Sequence, residues 1–368
     1  MEKADYDLIV VGAGPAGSAC AITAARAGAA VLLLEKDRLP RHKVCGEFVS
    51  PESLRLLASL VGEERFAANP RISSARIFYR AKIVSLPIEP AAQSIPRFDL
   101  DAVLLQAARD CGVQAEEGVT VRTVEAGEQF QVTTLMATSE KTTSARVLVN
   151  ASGRWSQLTQ FPHGNEKWIG LKAHFYEDAP PHSVDLYFFD GGYCGVQAVG
   201  SNAVNASAMV RADIARTLDE VFTKNTDLWR RSRNWKAVFN PITTSPLYFR
   251  RPQTEDKGMF LAGDAAGFID PFAGDGISLA LHSGTLSAQS IVPFLQGKCS
   301  LEQAHRQYQV SYAKQLAPAF RNAARVRMFL SAPSFLRSML LGIAGTKPFS
   351  GALVRRTRVR VKPQVEPG

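Results

Sequence analysis

Four stretches of this chain carry residues whose types and spacing could do chemistry. The first is Gly12-Ala13-Gly14-Pro15-Ala16-Gly17, followed by Glu35 and Lys36. The second is Pro40-Arg41-His42-Lys43-Val44-Cys45-Gly46-Glu47, in which basic side chains crowd a thiol. The third is Arg97-Phe98-Asp99-Leu100-Asp101, and the fourth runs from Gly263-Asp264 through Pro271 to Gly274-Asp275-Gly276-Ile277. In the first stretch Gly12 permits a tight turn, Gly14 lets backbone approach a pyrophosphate, and Gly17 lets a helix pack closely on a strand. A helix opening at Pro15 and Ala16 presents free N–H groups and a positive dipole end to phosphates. Glu35 falls 18 residues after Gly17, where a carboxylate can accept hydrogen bonds from ribose hydroxyls. Its charge opposes a 2′-phosphate there. These residues point to a dinucleotide and leave FAD and NAD both open.

The elements that must position them are legible nearby. Residues 6–11 read as a buried strand, 15–27 as a helix ended by Gly28, and 30–34 as a second strand. Residues 259–262 read as a short strand that delivers Gly263 and Asp264 to its end, where ligands collect in open α/β sheets. A long helix over 277–294 then offers a second N-terminus to an electron-rich group. Residues 73–79 and 82–88 alternate like a hairpin, 98–108 is helical, and 129–135 and 145–150 are strands. Four further runs, 168–176, 184–189, 193–199 and 203–210, suggest an antiparallel meander, followed by an amphipathic helix over 214–229.

Composition narrows the class. The 368 residues are 46% hydrophobic and 21% charged, an ordinary globular balance. The five cysteines are widely spaced without a CxxC pair, and the six histidines show no metal spacing. A disulfide framework or metal site is not expected, and a reducing cytoplasm fits. The formal charge of +9 is uneven: residues 311–368 hold eleven basic residues and one acid, a net +10, leaving −1 for the rest. Beside the short apolar stretch 335–343, this charge suggests peripheral contact with an anionic inner-membrane surface. The plainer alternative is a helix packed on the body with a solvated basic end. No recognition helix or stacking platform accompanies the charge, so no nucleic-acid partner is expected.

Taken together and in order, the four stretches resemble FAD enzymes of the p-hydroxybenzoate hydroxylase superfamily, and most closely its geranylgeranyl reductase group with halogenase and monooxygenase relatives. The resemblance spans residues 7–290. It implies an α/β fold: a Rossmann-like FAD-binding domain of the GR2 or p-hydroxybenzoate hydroxylase type, an inserted antiparallel β substrate domain and a C-terminal helical tail. The corresponding boundaries are 1–68, 94–158 and 248–300 for the FAD-binding domain, 69–93 and 159–247 for the substrate domain, and 301–368 for the basic helical region. It also implies that Gly12, Gly14, Pro15, Ala16, Gly17, Glu35, Lys36, Arg41, Cys45, Gly46, Arg97, Gly263, Asp264, Pro271, Gly274, Gly276 and Ile277 hold FAD. Asp264 would take the ribityl chain, and Arg41 and Arg97 the ribityl or phosphate groups. Cys45 and Tyr193 are the catalytic candidates; Glu47 reads as a surface residue rather than an acid near the ring, His282 as a packed or solvated residue rather than a base, and Tyr187 as either a pocket residue or a sheet aromatic.

The chain departs from that family in two places. At Val149-Asn150-Ala151-Ser152-Gly153-Arg154, Ser152 stands where the hydroxylases carry an Asp. No second GxGxxG follows, so reduction would rely on a transient visit of NAD(P)H or on another external donor. At Tyr193-Cys194-Gly195-Val196-Gln197-Ala198, Gly195 and Gln197 replace bulky residues of the reductase and halogenase substrate motifs. The expected activity is hydride transfer from reduced FAD to a C=C bond of an isoprenoid, lipid or polyketide-like substrate. The alternatives are a flavin monooxygenase acting on an aromatic or polyketide substrate and a non-catalytic, membrane- or partner-docked flavoprotein. The oligomeric state is not legible.

Overall fold

The computed structural model describes residues 3–80, 82–154, 158–159 and 167–330. The expected basic tail beyond Leu330 lies outside the described residues. The chain opens with β1 (Tyr6–Val11), α1 (Pro15–Arg26) and β2 (Val31–Glu35), then β3 (Phe48–Val49) and α2 (Pro51–Val61). A hairpin of β4 (Arg71–Tyr79) and β5 (Lys82–Ser94) leads to α3 (Arg97–Asp110). Next come β6 (Gln114–Glu117), β7 (Val119–Glu125), β8 (Phe130–Met136) and β9 (Ser139–Asn150). The second half holds β10 (Trp168–Tyr176), β11 (Ser183–Phe189), β12 (Gly192–Ala198), β13 (Ala203–Arg211), α4 (Leu218–Phe222) and α5 (Thr226–Ser232). It closes with β14 (Ile242–Leu247), β15 (Glu255–Asp256), β16 (Met259–Leu261), α6 (Gly276–Leu295), α7 (Leu301–Gln315) and α8 (Ala317–Leu330).

Two eight-stranded sheets result. The first has the order β15-β16-β9-β1-β2-β6, with β7 and β8 attached beside β9. Its central pairs β16–β9, β9–β1, β1–β2 and β2–β6 are parallel. Apolar β1 and β2 are buried on both faces, as a parallel sheet covered by helices requires. Two glycines bring the helices close. A Cβ on Gly17 would fall 1.8 Å from the Gly12 carbonyl oxygen, and one on Gly284 would fall 1.9 Å from that of Ala16. Both lie under any real contact distance, so α1 sits directly on the turn after β1, and α6 directly on α1.

The second sheet has the order β14-β10-β13-β12-β11-β4-β5-β3. The expected four-strand meander is corrected here: β11, β12 and β13 follow one another, but β10 pairs with β13 rather than β11. Ser183–Phe189 instead runs parallel to the hairpin strand β4, which carries the sheet across to β5 and β3. The single helix expected over 214–229 is also corrected. Asn225 turns its side-chain oxygen to the N–H groups of Asp227 and Leu228, which starts a new helix and splits the stretch into α4 and α5. One face of the sheet packs under these helices through Leu171, Phe175, Val196, Val204 and Val210. The other faces the first sheet.

An ion cluster fixes α5 to the covered face. Asp185, fully buried, accepts from Arg76 Nε at 2.6 Å, from Arg231 Nη1 at 2.5 Å and from the Ser183 hydroxyl at 2.7 Å. Arg231 also reaches Glu177 and the Tyr187 hydroxyl. Burial, only partly offset by Arg231, pushes the Tyr187 phenol up to about 12, so it stays protonated. Removing one member of a buried ion cluster strands the others. Asp185→Ala is therefore expected to cost about 3–5 kcal/mol, read as a drop in thermal and urea unfolding midpoints relative to the wild-type protein.

Candidate active site

One cavity of about 1260 Å³ lies between the two sheets. Every residue singled out above for the cofactor lines it except Gly17, whose place is the helix–strand contact. Gly12 has φ +102°, and a Cβ there would strike the Ala151 carbonyl. Gly14 is the N-cap of α1 with no side-chain cap, and Asp275 is likewise the N-cap of α6 without one. Gly46, Gly153 and Gly276 each face open space where a Cβ would be. Both helix ends thus present backbone N–H groups to the cavity with room for a ligand against them.

Glu35 is held in place by three donors. It accepts from the Ala13 N–H at 2.8 Å, the Asp37 N–H at 3.1 Å and Arg41 Nη2 at 3.1 Å. Arg41 also pairs with Asp37. Arg97 is gripped by Asp101 at 2.6 and 2.7 Å, and its Nη2 lies 3.7 Å from the Cβ position of Gly14. Burial acts to lower the Arg97 pKa, but the Asp101 carboxylate outweighs it and the net shift is upward. Lys43, absent from the expected site, also lines the cavity. Burial first, then the Arg97 and Arg41 charges, push its amine down to about 8. Arg97 beside the uncapped N-terminus of α1, with Arg41 and Lys43 lining the same cavity, fits a pyrophosphate. Asp264 lines the same cavity, and its backbone carbonyl accepts from Arg250 Nη2 at 2.7 Å.

The loop bearing Cys45 is bolted to the second sheet. Asn205 donates to the carbonyls of Cys45 and Gly46, both at 3.0 Å, and the Glu47 N–H points at Cys45 Sγ at 3.3 Å. A Cβ on Gly170 of β10 would meet Val44 at 2.9 Å, so this glycine is what lets the loop settle. Glu47 corrects its surface expectation: it is 0% exposed and sits at φ +61°. Its carboxylate accepts from buried Lys172 and from the Arg97 N–H at 2.8 Å, and lies 2.8 Å from His174 Nε2. Burial would raise its pKa, but the His174 and Lys172 contacts prevail and hold it below the ordinary glutamate range. Sequence did carry a signal for this group. Lys172 and His174 are polar residues two apart in an otherwise apolar strand, which puts them on one face.

Arg154 was likewise missed. It lies over the Phe268 ring at 4.9 Å and donates to Thr244 Oγ1 at 2.7 Å. Its place just beyond the end of β9 is where sheet ligands gather. In the departed motif, Ser152 turns its hydroxyl to Asn150 Oδ1 at 2.6 Å, and Gly153 at φ +82° completes the turn. Tyr193 lines the cavity but Tyr187 lies on the opposite face. His282 is 7% exposed on α6 and away from the cavity lining. The far arm of the cavity is apolar, formed by Ile77, Leu86, Leu186, Phe188, Met209 and Leu247.

A parallel βαβ cradle joined to a second sheet across such a cavity is the arrangement of the FAD-dependent oxidoreductases of the p-hydroxybenzoate hydroxylase type, to which this chain is similar in fold and in its FAD-binding domain. Residues 5–173 match the family model described as FAD binding domain. The chain is 26% identical to a menaquinone reductase of Mycolicibacterium smegmatis, over 96% of this chain and 90% of that protein. It is 28% identical to a digeranylgeranylglycerophospholipid reductase of Methanocella arvoryzae, over 78% of each. Its fold matches a geranylgeranyl bacteriochlorophyll reductase-like protein from Thermoplasma acidophilum with a TM-score of 0.80, at 20% identity and 95% coverage of both chains.

Two outcomes test the site. Above the ordinary glutamate range the Glu47 carboxylate is charged in both folded and unfolded chains, and its contacts contribute fully; as pH falls through its lowered folded value that contribution is lost. Glu47→Gln should therefore cost about 3 kcal/mol near neutral pH, and its stability gap from wild type should shrink on acidification, measured by urea unfolding across pH. Lys43 gives the opposite sign for ligand affinity. An anion favours its protonated form, so apoprotein affinity for FAD should fall as pH rises through about 8. Lys43→Met should flatten that dependence in a fluorescence titration.

Proposed function

We propose that this flavoenzyme saturates a C=C bond of a hydrophobic substrate, of the isoprenoid, lipid or polyketide-like class. The observation that carries the reading is the apolar arm of the cavity, which runs from the FAD-binding motifs along the second sheet. Bound FAD, once reduced by NAD(P)H or another external donor, would supply the hydride. The residues of the chain do the rest. Ile77, Leu86, Leu186 and Met209 bind the substrate by burying its apolar surface and excluding water. Arg41, Lys43 and Arg97 hold negative charge at the cofactor end of the cavity, away from the apolar arm. Hydride adds to one carbon of the double bond and a proton to the other. Cys45 S–H and Tyr193 O–H both line the cavity, and either can deliver that proton. Burial holds the Tyr193 phenol well above its ordinary value, so it remains protonated.

Two relatives named for reducing menaquinone and a digeranylgeranyl lipid support reduction of a bulky apolar molecule. Gly195 favours the same reading. It lies on the cavity face of β12 between Tyr193 and Gln197, and a side chain there would project into the arm.

The test begins with FAD-loaded protein reduced without oxygen and then mixed with geranylgeraniol. Reoxidation of the flavin and a product heavier by two hydrogens per turnover are expected. Reoxidation only after O₂ is admitted, with its oxygen in the product, would make the enzyme a monooxygenase instead. Gly195→Trp should fill the arm and raise KM about tenfold or more while leaving the FAD content intact.

A further inference from the structure

The wall of the apolar arm carries a permanent positive charge. Arg154 is part-buried and lines the cavity. It leaves the first sheet just past the end of β9 and reaches the second, where its Nη2 donates to Thr244 Oγ1 on β14 at 2.7 Å. Its guanidinium carbon lies 4.9 Å from the centre of the Phe268 ring. Phe268 in turn packs with Ile77, Leu86, Phe188, Met209 and Leu247, which form the arm. Two other cavity arginines are engaged at the cofactor end: Arg41 with Glu35 and Asp37, and Arg97 with Asp101 beside the Gly14 turn. By its contacts Arg154 belongs to the arm rather than to the pyrophosphate cradle. Burial acts to lower its pKa, and Asp264 and Cys45 offset this only in part, so the net shift is downward. For Arg97 the sign is opposite, because Asp101 outweighs burial. A hydrocarbon packed against Arg154 would strip more water from the guanidinium and return nothing to its charge. Were the arm built for hydrocarbon alone, an apolar side chain would be the stable choice here.

We propose that Arg154 is a specificity-determining residue that binds a carboxylate carried by the substrate. The substrate is therefore an amphipathic acid: an apolar body filling the arm and a carboxylate seated between Phe268 and β14. The planar fork of a guanidinium matches the two oxygens of a carboxylate, and one positive charge balances one negative charge. A phosphate monoester brings about two charges at neutral pH, and Asp264, on the same lining, opposes the second. This deepens the reading of a hydrophobic substrate and rests on it for the claim that the arm is the substrate site. It does not rest on which reaction follows.

The test is a binding measurement on FAD-loaded protein, so it stands apart from the turnover experiment. The probes share one skeleton: farnesoic acid, farnesol and farnesyl phosphate, each titrated by the perturbation of flavin absorbance. Wild type should bind the acid about tenfold or more tightly than the alcohol, and the phosphate no more tightly than the acid. Arg154→Gln keeps a donor for Thr244 and loses the charge, and should erase the preference for acid while FAD content and melting temperature are retained. Arg154→Lys keeps the charge without the fork, and should show an intermediate preference with unchanged affinity for the alcohol. Equal affinity for acid and alcohol in wild type, or no binding of the acid, would overturn the proposal. A preference that survives in Arg154→Gln would overturn it as well, and loss of FAD from that variant would overturn it by assigning the charge to the cofactor. Tighter binding of the phosphate would overturn the choice of a carboxylate. Should the preference hold while no double bond is reduced, the carboxylate recognition stands and the reaction assignment falls. Should geranylgeraniol be reduced while acid and alcohol bind alike, the reaction stands and the recognition falls.

Discussion

The Glu47 carboxylate is the constraint on which the rest of this site depends. It is buried, held at a backbone angle unfavourable for a side chain, and surrounded by partners from two separate parts of the chain. Lys172 and His174 come from the second sheet, and the Arg97 N–H from the start of α3. A conformation of that kind persists only where its surroundings over-determine it. Here they do, and the effect is to pin two things at once. The loop that carries Arg41, Lys43 and Cys45 is pressed on β10, and the Arg97 helix is aimed at the Gly14 turn. A buried lysine and carboxylate are costly apart and mutually satisfying together. The pair therefore specifies one arrangement of loop and sheet rather than a family of them.

The same logic of close approach governs the other side of the cradle. Gly17 and Gly284 remove side chains exactly where α1 meets the β1 turn and where α6 crosses α1. With both helices drawn in, their uncapped N-termini open on a single cavity, although they are more than 250 residues apart in sequence. Negative charge in that cavity is met by oriented backbone dipoles and by Arg41, Lys43 and Arg97, so a near-neutral body suffices to hold an anionic ligand.

The cradle was legible in the sequence because its parts are local. A glycine turn, its flanking strand and helix, and an acid at fixed distance are all read within 35 residues. The Glu47 group was not, because its members are 125 residues apart and meet only when the second sheet is folded. The four strands after residue 167 were legible as strands, but their order was not. Alternation says which residues share a face and is silent on which strand lies beside which. The helix expected over 214–229 failed for a local reason instead. Asn225 is a capping residue inside an apolar periodicity, and its short polar side chain won the competition for the backbone N–H groups.

The departures from the family pattern become coherent once the pleat is taken into account. Tyr193, Gly195 and Gln197 are alternate residues of β12, so all three stand on the cavity face, while Cys194 and Val196 pack under the helices. Losing bulk at 195 and 197 therefore leaves the helix-covered core untouched and changes only the shape and polarity of the arm. Gly195 adds room, and Gln197 adds one polar side chain, which donates to Ser94. The cradle and the Glu47 clamp lie on other strands and loops and need not adjust. The arm can thus be retuned for a different hydrophobic molecule without disturbing the machinery that holds and orients the cofactor.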